Sequence, residues 1–210
     1  MKKNMAYRYW NMGKRTLPLC LFTLLLFVCS CSENEDSVEE YPDWKATNET
    51  YWENLYQTTK QKIAAGDDSW KIIPKYSYVD REDLQATDYV IAHVKETGEG
   101  AMPIYTDTVR VHYSGHLLPS TSYSAGYKFD YSYDGDLNTA TATPRKFGVA
   151  GLVSGWTTAL MNMHVGDRWD LYVPYQLGYG TSKNDAIPGY STLIFDLMLV
   201  QVWHAGEKVK

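Results

Sequence analysis

The stretch that decides the fold runs Leu152-Val153-Ser154-Gly155-Trp156, continues through Met161-Asn162-Met163-His164-Val165-Gly166, and resumes at Val173-Pro174 and Leu177-Gly178-Tyr179-Gly180. Apolar residues recur at Trp156, Ala159, Leu160 and Met163, a spacing that turns one apolar helical face toward a sheet. The pattern predicts a short amphipathic helix opened by the Gly155-Trp156 step and closed by Gly166. A strand follows and ends in a Pro-Tyr-Gly loop. His164 is the one residue in this stretch with nucleophilic or metal-binding character. Its chemistry is therefore expected to rest on aromatic surface rather than on a proton relay.

Outward from that stretch, the pattern is mostly of strands. Residues 89–94 alternate weakly, and Thr97-Gly98-Glu99-Gly100 makes a turn. Residues 108–118 alternate clearly, with Val109, Val111 and Tyr113 on one side and Arg110 and His112 on the other. Residues 168–173 alternate with Trp169, Leu171 and Val173 inward, and residues 192–203 form a long closing strand. One short helix among antiparallel strands gives an α+β domain over residues 85–205. The stretch 120–143, rich in Ser, Thr, Tyr and Gly, reads as a long loop system. No internal repeat is present.

The N-terminal part differs in character. Lys2, Lys3, Arg8, Lys14 and Arg15 precede an apolar run over residues 17–28, too short to span a bilayer, so residues 1–30 read as a signal peptide whose start is Met1 or Met12. The run ends in Val28-Cys29-Ser30-Cys31, which is similar to the lipobox of bacterial lipoproteins and would make Cys31 the lipidated N-terminus. An uncleaved apolar anchor is the plain alternative. All three cysteines (Cys20, Cys29, Cys31) lie at or before this site, leaving none for a disulfide beyond it.

Without residues 1–30 the chain keeps 15 basic against 25 acidic residues, a net charge of −10. An acidic domain with no basic cluster is a poor nucleic-acid binder. Ser32-Glu33-Asn34-Glu35-Asp36 resembles the acidic tag of surface-exposed lipoproteins and reads equally well as a solvated charge run. Residues 31–46 are expected as an acidic flexible tether, and residues 47–84 as a helical extension. Its helix is capped by Thr47 or Asn48, presents Trp52, Leu55, Tyr56, Thr59 and Ile63, and stops at Gly66. That stripe packs on the domain or mediates a weak dimer.

In order along the chain stand Val109-Arg110-Val111-His112-Tyr113-Ser114-Gly115-His116-Leu117, Phe129-Asp130, Phe147, Leu152-Val153-Ser154-Gly155-Trp156, Met163-His164-Val165-Gly166, Val173-Pro174, Leu177-Gly178-Tyr179-Gly180, Ile187-Pro188 and Thr192-Leu193-Ile194-Phe195-Asp196. Together they resemble the FKBP family of peptidyl-prolyl cis-trans isomerases over roughly residues 87–203. The short spacing from Phe147 to Trp156 is most similar to the bacterial macrophage-infectivity-potentiator branch. The resemblance implies a curved antiparallel sheet wrapped around the Trp156 helix, with an apolar pocket between them. It implies Trp156 as the pocket floor and Tyr113, Phe129, Val153 and Phe195 as walls. Leu152, Ile187 and Tyr190 would line the rim, Tyr179 would aim its hydroxyl at a bound carbonyl, and Asp130 would supply a polar edge. Catalysis would rest on Tyr113, Asp130, Trp156, Tyr179 and Phe195.

That assignment suits the residues. Rotation about an Xaa-Pro bond faces a barrier of about 20 kcal/mol and breaks no bond, so it needs neither a nucleophile nor a cofactor. His112, His116 and His164 lack metal-ligand spacing, and no Gly-x-Ser-x-Gly elbow is present. The expected partners are proline-containing polypeptides in the cell envelope, with the outer membrane reached through the lipid on Cys31. A non-catalytic module that grips proline segments is the alternative. The chain departs from the family in three places: long connections over residues 118–129 and 130–147, and Pro144-Arg145 where many relatives place an aromatic residue.

Overall fold

In the computed structural model residues 39–207, except Val79, are described, and they belong to one unit, Val38–Lys210. Cys31, the signal segment and residues 32–38 lie outside the described residues. The elements are α1 (Trp44–Ala64), β1 (Trp70–Pro74), β2 (Tyr89–Glu96), β3 (Thr108–His116), β4 (Lys128–Tyr131), β5 (Arg145–Gly148), α2 (Ser154–Leu160), β6 (Arg168–Val173) and β7 (Leu193–Trp203). The architecture is the expected α+β one, a single antiparallel sheet with a short helix and an N-terminal helix.

The sheet order is β1-β2-β6-β7-β3-β4, and β5 also pairs with β3. β4 and β5 share the same edge of β3, β4 against residues 114–116 and β5 against residues 108–111. The long connection between β4 and β5 thus leaves and rejoins one strand. Every ladder is antiparallel, and the long β3–β7 ladder carries a register shift between Arg110 and Val111.

Alternation sets the buried face. Trp169, Leu171 and Val173 of β6 and Leu193, Phe195, Leu197 and Leu199 of β7 are all buried. α2 lays Trp156, Ala159 and Leu160 on that layer, and Met163 follows just beyond its end. Gly155 permits the approach, because a Cβ there would collide with the Val173 side chain. The helix is one and a half turns shorter than expected. It ends at Leu160, and Gly166, at φ 102°, closes the following turn instead.

β3 departs from simple alternation at His112, which is buried like its neighbours Val111 and Tyr113. The reason lies in the long β4–β5 connection. Tyr133 folds onto the other face of the sheet, its ring 6.4 Å from that of His112, and is itself buried. On that face Arg168 makes a two-pronged pair with Asp196, Nε to Oδ1 at 2.8 Å and Nη2 to Oδ2 at 2.6 Å.

The N-terminal segment corrects two expectations. α1 begins at Trp44, inside the stretch read as a tether, and Trp44 is buried. Asp43 occupies the cap position without a side-chain cap bond; Asn48 lies inside the helix, where its carboxamide oxygen accepts the Thr192 N–H and its nitrogen donates to the Trp44 carbonyl, so it caps no N–H of the first turn. Beyond the stop at Gly66 the chain turns to strand, and β1 pairs with β2 from Trp70 opposite His93 to Pro74 opposite Tyr89. Of the predicted stripe, Trp52 and Thr59 are buried and Leu55 and Tyr56 half-buried, whereas Ile63 is exposed.

Candidate active site

Between α2 and the sheet lies a cavity of about 210 Å³, lined by Tyr113, Phe129, Asp130, Phe147, Gly151, Leu152, Val153, Trp156, Tyr179 and Phe195. The lining is delivered by several parts of the fold. β3 supplies Tyr113, β4 Phe129 and Asp130, β5 Phe147, the approach to α2 Leu152 and Val153, α2 Trp156, and β7 Phe195. Tyr179 arrives from the β6–β7 loop.

Trp156 is the hub. Its ring meets Tyr113 at 5.1 Å and 87°, Phe195 at 5.1 Å and 80°, and Phe147 at 5.9 Å and 83°. Phe129 meets Phe195 at 5.6 Å and 89°. Edge-to-face contacts of this kind hold rings at fixed angles instead of letting them collapse into a stack, so the space between them keeps its shape. Gly115 makes room for that arrangement. A Cβ there would lie 2.6 Å from Phe195 Cε1 and 2.8 Å from Phe129 Cζ. The buried indole N–H of Trp156 has no hydrogen-bond partner among the described residues.

One wall is polar. The Tyr113 hydroxyl donates to Asp130 Oδ2 at 2.7 Å, and Arg145 Nη1 donates both to that hydroxyl oxygen at 3.2 Å and to Asp130 Oδ1 at 3.1 Å. Burial, and then the hydrogen bond to the Asp130 carboxylate, raise the Tyr113 phenol well above its ordinary pKa. It is a neutral donor throughout the working range. The Tyr179 hydroxyl is also raised, by burial first and then by the charges of Asp130 and Asp185. Tyr179 is 42% exposed and makes no hydrogen bond among the described residues, which leaves its O–H available to a ligand carbonyl.

Eight of the ten predicted protein-contact residues therefore surround one cavity: Tyr113, Phe129, Asp130, Leu152, Val153, Trp156, Tyr179 and Phe195. Ile187 borders an adjoining hollow of about 230 Å³ that shares Phe129, Asp130 and Tyr179. Tyr190, expected at the rim, is elsewhere. Its ring packs on Tyr175 at 5.1 Å beneath the Lys45 ammonium, and its backbone sits at φ 65°.

Three participants escaped the list of site residues: Phe147, Gly151 and Arg145. Phe147 stood among the motifs that carry the family resemblance but was not carried into the site. Arg145 carried no signal beyond its unusual place after Pro144, because its contacts require β5 to lie beside β4 along β3. The histidines stay apart: His112 is buried, the His116 ring lies 3.2 Å from the Leu117 carbonyl, and His164 faces Asp167 at 4.0 Å. Among the described residues no group of His, Cys, Asp or Glu is placed to hold a metal ion.

Residues 100–200 match the family model described as FKBP-type peptidyl-prolyl cis-trans isomerase. The chain is 40% identical over 106 residues to the FKBP-type 22 kDa peptidyl-prolyl cis-trans isomerase of Escherichia coli, covering 50% of this chain and 46% of that one. It is 35% identical over 106 residues to a macrophage infectivity potentiator of Trypanosoma cruzi, covering 50% and 48%. The crystal structure of FkpA from Escherichia coli superposes with a TM-score of 0.53 at 30% identity, covering 75% of this chain and 60% of that chain. The chain spans about half the length of the first two relatives.

Proposed function

We propose that this chain, whose residues 100–200 match the FKBP-type peptidyl-prolyl cis-trans isomerase family model, accelerates rotation about Xaa-Pro bonds in client polypeptides. The observation that carries the reading is the cavity over Trp156, held open by rings set nearly perpendicular to one another. Its volume of about 210 Å³ suits a proline ring with part of the preceding residue.

The physical route needs only binding. A planar amide is charge-separated by resonance, and twisting it about C–N removes that separation. An apolar site that accepts the prolyl group therefore favours the twisted amide over the planar one, relative to water. Trp156, Phe195, Phe129 and Phe147 supply the dry surface, and the Tyr179 O–H holds a flanking carbonyl while the other side turns. Tyr113 and Asp130 hold the polar wall at a fixed distance from the floor.

The test is isomerisation of a proline peptide followed by exchange NMR, with the purified chain and its Trp156→Ala variant. Acceleration that vanishes in the variant supports the reading. A chain that binds proline peptides without accelerating them is a binding module instead, and the isomerase reading fails.

For placement, we infer a lipoprotein of the cell envelope, with residues 1–30 removed and Cys31 acylated. Several acyl chains on one cysteine give stable anchoring. The support is the basic-apolar-small-Cys order of the sequence. Cys31→Ser should move the protein from the membrane pellet to the soluble fraction, and an unchanged distribution would defeat the inference. Protease treatment of intact cells then reads which side of the outer membrane it faces.

A further inference from the structure

We propose that residues 39–48 are a strap that sets the geometry of the pocket rim, with Trp44, Lys45 and Asn48 as positioning residues for Tyr179 and Ile187. The consequence for substrate rests on the isomerase reading; the strap itself does not.

One turn of α1 grips three consecutive residues of the β6–β7 loop. Lys45 Nζ lies 5.5 Å above the Tyr190 ring. The Trp44 indole N–H donates to Ser191 Oγ at 2.9 Å. Asn48 Oδ1 accepts the Thr192 N–H at 2.7 Å, and Asn48 Nδ2 returns a bond to the Trp44 carbonyl at 2.7 Å. Asn48, Ser191 and Thr192 are all buried, so these bonds do not compete with water.

The grip reaches the rim in two short steps. Ser191 Oγ, while accepting from Trp44, donates to the Pro188 carbonyl at 2.7 Å, and Pro188 follows Ile187. The Tyr190 N–H donates to the Gly180 carbonyl at 2.9 Å, next to Tyr179. Tyr190 meanwhile holds φ 65°, a conformation costly for a bulky side chain, which persists only where the surroundings impose it. The Tyr175 ring and Lys45 provide those surroundings.

The same segment also clasps the loop that leads to Phe129. Glu40 Oε1 accepts from Ser120 Oγ at 2.5 Å and from the Ser122 N–H at 3.0 Å, and the Glu39 carbonyl accepts from Thr121 Oγ1 at 2.9 Å. Ten residues of chain thereby tie the loop that carries Tyr179 and Ile187 to the loop that leads into β4 and Phe129. A helix acting only as a surface element would not place its buried polar bonds on the loop that carries Tyr179 and Ile187.

The experiment is amide hydrogen exchange on the full chain without substrate, comparing wild type with Asn48→Ala and, as the milder change, Ser191→Ala. Each substitution removes two of these bonds and should speed exchange of amides in residues 178–190 by about tenfold or more. Amides of β2, β6 and β7 should keep their protection. The Michaelis constant for a proline peptide should rise several-fold with the turnover number nearly unchanged. Unaltered loop exchange in Ser191→Ala overturns the strap, as does acceleration spread evenly over the sheet. A wild type that isomerises nothing but shows the loop response defeats the proposed function and leaves the strap standing.

Discussion

The hydroxyl of Tyr113 donates to Oδ2 of Asp130 at 2.7 Å, joining the centre of β3 to β4 at the wall of the pocket. Tyr113 is almost wholly buried, whereas the Asp130 side chain is 48% exposed. In Tyr113→Phe the carboxylate keeps Arg145 and recovers water, so urea unfolding should show a loss of about 1 kcal/mol. The larger effect should appear in affinity for a proline peptide, because the wall loses its fixed spacing from Trp156. An affinity unchanged from wild type would remove the pair from the site.

Gly115 on β3 is a test of shape alone. Gly115→Ala adds one methyl group facing Phe195 and Phe129 and should cost about 1–3 kcal/mol by overpacking. Peptide binding should weaken along with stability, since the two rings must move apart. A variant as stable as wild type and with full affinity would show that these rings tolerate displacement.

Trp156 has both a structural and a binding part, and two variants separate them. Trp156→Ala should lose about 3–5 kcal/mol of stability and all isomerase activity. Trp156→Phe keeps an aromatic floor and should fold, with a raised Michaelis constant. Calorimetry and exchange NMR on the same samples distinguish the outcomes.

His112 gives a pH dependence of defined sign. Burial holds its imidazole below the ordinary value of 6.5 and favours the neutral ring. The unfolded chain takes up a proton near that pH while the folded chain does so only lower. The stability contributed by the neutral ring is complete above pH 6.5 and is lost as pH falls through the folded value. His112→Phe should therefore flatten the decline in urea midpoint between about pH 7 and pH 5. An identical decline in both proteins would assign it to other groups.

Arg145 pairs with Asp130 at 3.1 Å, with side chains 52% and 48% exposed. Solvent screening at that exposure limits the pair to about 0.5 kcal/mol, so Arg145→Met should barely alter stability. It should change the rim instead, because Nη1 bridges Tyr113 and Asp130. The readout is a panel of peptides varied at the residue before proline; a preference identical to wild type would reduce Arg145 to surface.

Much of this was legible in the chain because it depends on local periodicity. The alternation of residues 168–173 identified Trp169, Leu171 and Val173 as inward, and the 3.6-residue spacing identified the Trp156 face. The order of motifs around Tyr113, Phe129-Asp130, Trp156 and Phe195 located the pocket lining. Other features misled for physical reasons. Asn48 looked like a cap because carboxamides commonly serve helix ends, yet its side chain is spent on a backbone N–H far away in sequence. Alternation set His112 on the side opposite Tyr113, and there it is covered by Tyr133, a residue of a loop whose path no periodicity records. Tyr190 looked like rim and became an anchor for the loop behind it.

The sequence by itself determined the strands, the short helix and the set of aromatic residues, since each follows from the period of a single segment and from which residues must leave water. Only the tertiary structure decided that Arg145 completes the polar wall and that residues 39–48 bind both the β6–β7 loop and the loop leading into β4. Those contacts join residues 15 to 147 positions apart, and a hydrogen bond or ion pair leaves no periodic mark in the chain that makes it.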